Sequence, residues 1–294
     1  MIYLLTASLI WAFSFGLIKG ELTGLDPVFV SFVRLLISFV VFLPLFRMKN
    51  LKYKDAALLS FIGAIQYGLM YVTYIFSYKY LKAYEVALFT VFTPIYVTLI
   101  NDLIKHKLNT KALLSAFLAA TGTGIIVYKS IGTEGLILGF LLMQISNLCF
   151  AIGQVLYKHF MKKRNTLKDR NVFALMFLGA VFFTLATSLF TTNYGEIEIT
   201  KNQILILIYL GAIASGLGFF LWNYGAVLTK IGTLAVFNNL KIPLAVTVSL
   251  VIFGERTNPV NLLVGGSILL FALFYISKIE KSYEIKEKPD VLHN

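Results

Sequence analysis

Residues 231–253 read IGTLAVFNNLKIPLAVTVSLVIF, an apolar run with Lys241 near its middle. At about 1.5 Å rise per helical residue, that lysine lies roughly 15 Å from either end of a ~30 Å hydrocarbon slab, too deep for an easy reach to water. A bare ammonium there costs on the order of 2.5–3.5 kcal/mol, which predicts that it faces a partner, a carbonyl cluster or a wet cavity. The run therefore makes lipid the solvent and gives the protein interior a polar task.

Composition extends this to the whole chain. Of 294 residues, 58% are hydrophobic, 15% aromatic and 14% charged, and the mean hydropathy is +0.81; a soluble domain carries about a quarter charged residues. Spanning-length runs recur at about Ile2–Ile18, Val28–Phe46, Ala56–Tyr78, Val86–Asn101, Ala112–Tyr128, Gly135–Tyr157, Val172–Phe190, Ile204–Trp222, Ile231–Phe253 and Val260–Ile276. Only helices fit runs of that length. The predicted fold class is an all-α integral membrane protein with ten transmembrane helices and no soluble domain. The first run, with no basic stretch or small-residue cleavage site around it, is expected to be a retained anchor.

A net charge of +12 would suggest nucleic acid in a soluble protein, but here the placement of the charge is topological. Alternate connections hold 18 Lys and Arg on one side and 6 on the other, with Arg34 and Lys241 inside spans. The positive-inside rule then puts both termini of this multi-pass protein in the cytoplasm. No nucleic-acid partner is expected. Cys149, alone and mid-span, is read as packing.

The chain also resembles itself. Tyr84–Phe89 with Pro94 aligns with Thr233–Asn238 and Pro243 at a shift of 149 residues, and Trp11–Ser14 through Lys19 aligns with Phe150–Gly153 through Lys158 at a shift of 139. Both shifts fall near half the chain, which gives five spans plus five. An odd-numbered unit re-enters from the opposite face, so the halves form inverted repeats with a midplane site between them. The boundaries expected are 1–132, 133–279 and a cytoplasmic tail 280–294.

Several of these residues also fall into a known pattern: Trp11, Pro27 with Arg34, Leu43-Pro44, the proline-centred fourth run, Thr121-Gly122-Thr123-Gly124 and Phe253-Gly254-Glu255-Arg256. With Trp222-Asn223-Tyr224-Gly225 and Gly232–Asn239 before Pro243, the chain resembles the EamA branch of the drug/metabolite transporter superfamily. The resemblance implies a ten-helix transporter whose cavity is lined by spans 1, 3, 4, 6, 8 and 9. The first repeat departs from it, because Lys105-His106-Lys107 stands where a second Gly-Glu-Arg is expected.

Candidate site residues follow. Asn238 and Lys241 share a helix face at i, i+3, continued by the small Ala245 and Ser249, and Asn239 lies beside them. An ammonium flanked by an amide favours a carboxylate, sulfonate or phosphate; the alternatives are a structural lysine and a proton carrier. Pro94 and Pro243 each remove a helical hydrogen bond, so they are read either as hinges or as ordinary kinks. Gln144, Asn147, Ala151, Gln154 and Lys158 form an inward polar stripe, for cavity lining or inter-helix bonding. Tyr67, Tyr71 and Tyr74 with Trp11, Phe15 and Trp222 are candidates for an aromatic wall around the substrate, and Asn223 follows Trp222. Tyr78, Tyr80 and Tyr84 fit an interfacial belt. Arg34, about 9 Å into its span, is expected to snorkel or to couple transport to ions; Glu85 is a proton-coupling candidate or a solvated helix cap. Gly211, Ser215 and Gly218, and Gly265-Gly266, predict close packing.

The leading functional expectation is a secondary transporter, an exporter of small organic metabolites such as amino acids or other carboxylates. No GxxxxGK[ST] loop appears, so energy comes from the substrate gradient or from ions, protons being one candidate. A multidrug or amine exporter and a passive channel are the alternatives. An enzyme built on Lys241, Glu85 and His106 is disfavoured, because Glu85 and His106 fall near opposite faces. Neither a cofactor nor a metal is expected.

Overall fold

A computed structural model describes residues 1–104, 118, 121, 122, 125, 135–164, 166–229, 231–255 and 258–286. Helices α1 (Ile2–Leu22), α2 (Pro27–Leu45), α3 (Tyr53–Ser77), α4 (Ala83–Ile104), α5 (Leu136–Lys163), α6 (Asp169–Thr191) and α7 (Lys201–Leu228) are long and apolar enough to cross a membrane. They are followed by α8 (Ile231–Val251) and α9 (Pro259–Lys286). No strand occurs among the described residues. The fifth apolar run apart from residues 118, 121, 122 and 125, together with Lys105, His106, Lys107 and Arg256, lies outside the described residues, as do the side chains of Asn239 and Pro243.

Local sequence explains where helices start and where they break. Asp26 precedes Pro27 and its carboxylate accepts the Phe29 N–H at 2.8 Å, so a side-chain cap and a pre-set φ open α2. Thr200 and Gln203 form a reciprocal capping box at the start of α7. The expected fourth-span hinge is a true interruption. A 3₁₀ turn over Thr90–Phe92 splits α4, and the helix resumes at Thr93 with Pro94 at its second position, where the missing N–H breaks no helical bond. By contrast α8 runs helically from Ile231 to Val251, through Pro243.

Contacts between helix termini define two ends of the bundle. At one end Tyr3 of α1 meets Tyr224 of α7 with ring centres 5.0 Å apart, the Arg47 N–H donates to the Asn171 carbonyl, and Arg164 pairs with Asp55 at 2.9 Å. At the other end the Lys19 ammonium donates to the Tyr78 carbonyl at 2.7 Å, and the Thr192 hydroxyl donates to Asp26 at 2.7 Å. Glu255, just past α8, accepts the N–H groups of Ala83 and Tyr84 there. Successive helices from α1 to α4 thus alternate in direction.

Small residues set the closest crossings. A Cβ on Gly63 of α3 would sit 1.9 Å from the Met176 carbonyl oxygen of α6, and one on Gly179 of α6 would sit 1.8 Å from the Ser60 oxygen of α3. The expected small face of α7 is also used: Gly211 abuts Ile37 and Gly218 abuts Trp11. The matching expectation for Gly265-Gly266 does not hold at Gly266, where an added Cβ meets nothing within 4 Å. Nor do Tyr78 and Tyr84 form a belt; both are buried, because the helix ends around them are covered by neighbouring spans.

A candidate substrate cavity inside the bundle

The α7 sequence Leu210–Leu217 winds as a wide π-helical segment. That geometry leaves main-chain acceptors displaced from the usual ladder. The Ser215 hydroxyl donates to the Leu210 carbonyl at 2.7 Å, and the Ala214 carbonyl accepts the Trp11 indole N–H at 2.8 Å. Both bonds fix side chains beside a cavity with an empty volume of about 560 Å³, counted with the open space at its mouth.

Its walls are Trp11, Ser14 and Phe15 from α1, Arg34 from α2, and Met70, Tyr71 and Tyr74 from α3. Thr90 and Thr93 flank the break in α4, α5 gives Met143, Ser146, Asn147 and Phe150, and Phe219 and Lys241 come from α7 and α8. Among the described residues no Asp or Glu lines it. The spans expected from the family resemblance all contribute, with α2 added through Arg34.

Lys241 is 6% exposed, and its ammonium stands 5.6 Å from the ring centres of Trp11 and Phe150 and 5.7 Å from that of Trp222. Three π faces offset part of the cost of burying this charge. Among the described residues the structure records no hydrogen bond or ion pair to it.

Arg34 does not snorkel. It is 1% exposed, with its guanidinium carbon 4.6 Å from the centre of the Tyr71 ring. Its Nη2 donates to the Tyr71 hydroxyl at 2.8 Å and to Ser215 Oγ at 3.1 Å, and its Nε donates to the same Oγ at 3.3 Å. Nη1 has no hydrogen-bond partner among the described residues. The depth follows from the company: α7 offers Ser215 and α3 offers Tyr71, so the side chain gains more by turning inward than by reaching for the surface.

Asn147 closes the α4 break. Its Nδ2 donates to the Phe89 carbonyl at 2.8 Å, and its Oδ1 accepts the Thr93 hydroxyl at 3.1 Å. The interruption thereby has its carbonyl satisfied from another helix.

The cavity brings together Lys241, Trp11, Tyr71, Tyr74, Asn147 and Arg34 from the sequence candidates. Trp222 lies behind the Lys241 ammonium, fully buried, and donates to Gln154 Oε1 at 3.0 Å. Tyr67 and Asn223 sit outside the lining. Asn223 donates to the Tyr67 hydroxyl at 2.8 Å and exchanges amide hydrogen bonds with Gln66 at 2.9 and 3.1 Å, joining α3 to α7. Gln144 accepts the Tyr96 hydroxyl at 3.1 Å, and Asn238 donates back to the Leu234 carbonyl at 3.2 Å. Of the polar stripe, therefore, only Asn147 reaches the lining and the other polar members that bond across helices do so outside it. Glu85 is buried rather than solvated, and its carboxylate accepts the Lys82 N–H at 2.9 Å as a helix cap.

Sequence reasoning missed Ser14, Met70, Thr90, Thr93, Met143, Ser146, Phe150 and Phe219. The signal was present as helical spacing: 143, 146, 147 and 150 stand at i, i+3, i+4 and i+7, and 11, 14 and 15 repeat the start of that pattern.

The fold is that of a multi-pass membrane protein, with seven helices among the described residues long and apolar enough to span and a candidate small-molecule cavity between them. The chain belongs to the EamA-like transporter family, whose sequence profile matches residues 1–128 and 137–278. It is 37% identical to a biotin transporter of Salmonella typhimurium over 276 residues, covering 93% of this chain and 92% of the relative. The same figures hold for a biotin transporter of Escherichia coli K12. A probable biotin transporter of Pseudomonas aeruginosa is 38% identical over 93% of this chain and 96% of its own. A crystal structure at 14% identity superimposes with a TM-score of 0.69 over 96% of this chain and 98% of that one, which shows a shared fold.

Proposed function

We propose that this protein carries biotin, or a closely similar monocarboxylate, across the membrane as a secondary transporter. The observation that carries this is the charge of the cavity wall: two cations, Arg34 and Lys241, and, among the described residues, no carboxylate. Such a wall attracts an anion and repels an amine, which argues against multidrug-cation export. It also disfavours amino acids, whose ammonium would have no acid to meet. Aromatic and methionine side chains, among them Trp11, Phe150, Phe219 and Met143, suit the thioether ring and aliphatic chain of biotin, and Lys241 suits its carboxylate. The names of the relatives support the same cargo.

The architecture we propose is ten helices in two inverted repeats, about 1–132 and 133–279, with both termini cytoplasmic. It takes the run Ala112–Tyr128 as the fifth span. Rocking of the halves, with the broken α4 and proline-bearing α8 as moving parts, would expose the cavity to each side in turn.

The test is saturable exchange of radiolabelled biotin in proteoliposomes, run beside amino acids and quaternary amines. Flux of biotin that unlabelled biotin competes away supports the proposal, and orientation-sorted vesicles decide between uptake and the export expected from the resemblance. Saturable flux of amines alone would replace it with the multidrug alternative, and non-saturable conductance with a channel.

A further inference from the structure

We infer that Arg34 is a second substrate-contact residue: its free amino group takes a neutral carbonyl acceptor at the end of the substrate remote from the carboxylate. This rests on the cavity being the transport site, and it deepens that proposal by naming the two chemical features the site selects.

A guanidinium carries five N–H donors, no acceptor and a permanent charge. Here all of its recorded hydrogen bonds go to two neutral hydroxyls, of Tyr71 and Ser215, and none to a carboxylate among the described residues. Leaving a buried charged donor unpaired costs the desolvation of that group with nothing in return. Nη1 is that donor, on a side chain that is nearly fully buried and forms part of the cavity wall. An acceptor arriving with the substrate would complete it, and a substrate without one would leave it orphaned, which is how polar sites discriminate strongly.

The geometry also separates the roles of the two cations. Bidentate capture of a carboxylate needs two parallel N–H groups from neighbouring nitrogens. Nε and Nη2 are both engaged by Ser215, and Nη2 also by Tyr71. Only Nη1 remains, so Arg34 presents a single donor group suited to one carbonyl oxygen. Lys241 is a compact point charge held among ring faces with no recorded hydrogen bond, which leaves it to meet the anion. Tyr71 lies under the guanidinium, and Phe219 stands edge-on to it at 5.6 Å, offering faces to a planar ring. A cyclic urea tethered to an aliphatic carboxylate has both acceptors.

The experiment is a ligand-by-variant cross on the full-length purified protein. Binding of biotin, biotinamide and 2-iminobiotin is measured by titration to wild type, Arg34→Gln, Arg34→Lys and Lys241→Met, with unfolding midpoints recorded alongside. Biotinamide lacks the anion, while 2-iminobiotin replaces the ring carbonyl by a protonated imine and so loses the acceptor. Wild type is expected to prefer biotin over each analogue by about tenfold or more, ~1.4 kcal/mol. In Arg34→Gln the preference over 2-iminobiotin falls towards one and the preference over biotinamide persists. Lys241→Met shows the converse. Should Arg34→Gln fail to fold, Arg34→Lys, which keeps the charge and loses the fixed plane, carries the same comparison. Loss of the biotinamide preference in the Arg34 variants would mean that Arg34 holds the carboxylate, and unchanged ratios in folded variants would mean that it is structural; either overturns the inference. Absence of biotin binding to folded wild type would instead remove the transport proposal on which it stands.

Discussion

Glu255 accepts the main-chain N–H of Ala83 at 2.8 Å across 172 residues of sequence, and that of Tyr84 at 2.9 Å. The first N–H groups of a helix have no partner within it. Here the partner comes from the segment that follows α8, and the Ser249 hydroxyl donates to the same carboxylate. Glu255→Ala should cost about 1–3 kcal/mol for each donor left buried. The expected readout is a lower unfolding midpoint in detergent, with Glu255→Gln, which keeps one acceptor, losing less. An unchanged midpoint in the alanine variant would show that water replaces the carboxylate freely.

Lys241→Met keeps the length of the side chain and removes its charge. Because a buried ammonium is itself costly, the variant should unfold no earlier than wild type. It should lose the stabilisation that biotin gives, since a ligand that binds only the folded state raises the midpoint. Wild-type flux in this variant would take the lysine out of substrate recognition.

The α3 and α6 backbones touch through two glycines, and main chain cannot move aside as a side-chain tip can. Gly63→Ala and Gly179→Ala place a methyl 1.9 and 1.8 Å from carbonyl oxygens of the facing helix. Overpacking costs about 1–3 kcal/mol where side chains can adjust, and these sites should exceed that. Folded yield, followed by fluorescent size-exclusion chromatography, should collapse for both. Gly266→Ala, which meets nothing within 4 Å, should match wild type.

Asp55 and Arg164 form a two-pronged pair at 2.9 and 3.1 Å, but the arginine side chain is 43% exposed. Such pairs contribute little and are screened by salt. Asp55→Asn should lower the midpoint slightly at low ionic strength, and the difference from wild type should close as salt is raised. A large, salt-independent loss would show that the pair is effectively dry.

The helical fold was legible because an apolar run of spanning length admits one answer, and Lys241 was legible because its depth demanded a cavity. Tyr71, Tyr74 and Asn147 followed from spacing on inward faces. What escaped depended on facts that spacing does not carry. Arg34 turned inward because α7 is wound so that Ser215 reaches it, and a wide helical turn leaves no mark in a hydropathy pattern. Tyr67 and Asn223 shared the right faces but bond to one another, and Asn223 also to Gln66. Gly63 and Gly179 looked like any other glycines until the crossing of α3 and α6 set two backbones against each other.

Two charged groups, one toward each end of the bundle, hold main-chain atoms. Glu255 binds main-chain N–H groups of α4, and Lys158 of α5 donates to the main-chain carbonyls of Ala226, at 2.6 Å, and Thr229 around the end of α7. A substitution at Ala83, Tyr84, Ala226 or Thr229 leaves the atoms being held in place, provided that proline is avoided at the donors. The bonds themselves thus do not depend on which side chain stands at those positions, although Ala83, Tyr84 and Ala226 are buried and their packing does. The reach of each joint therefore depends on a single charged side chain, Glu255 at one and Lys158 at the other, whose loss removes every one of these main-chain bonds at once.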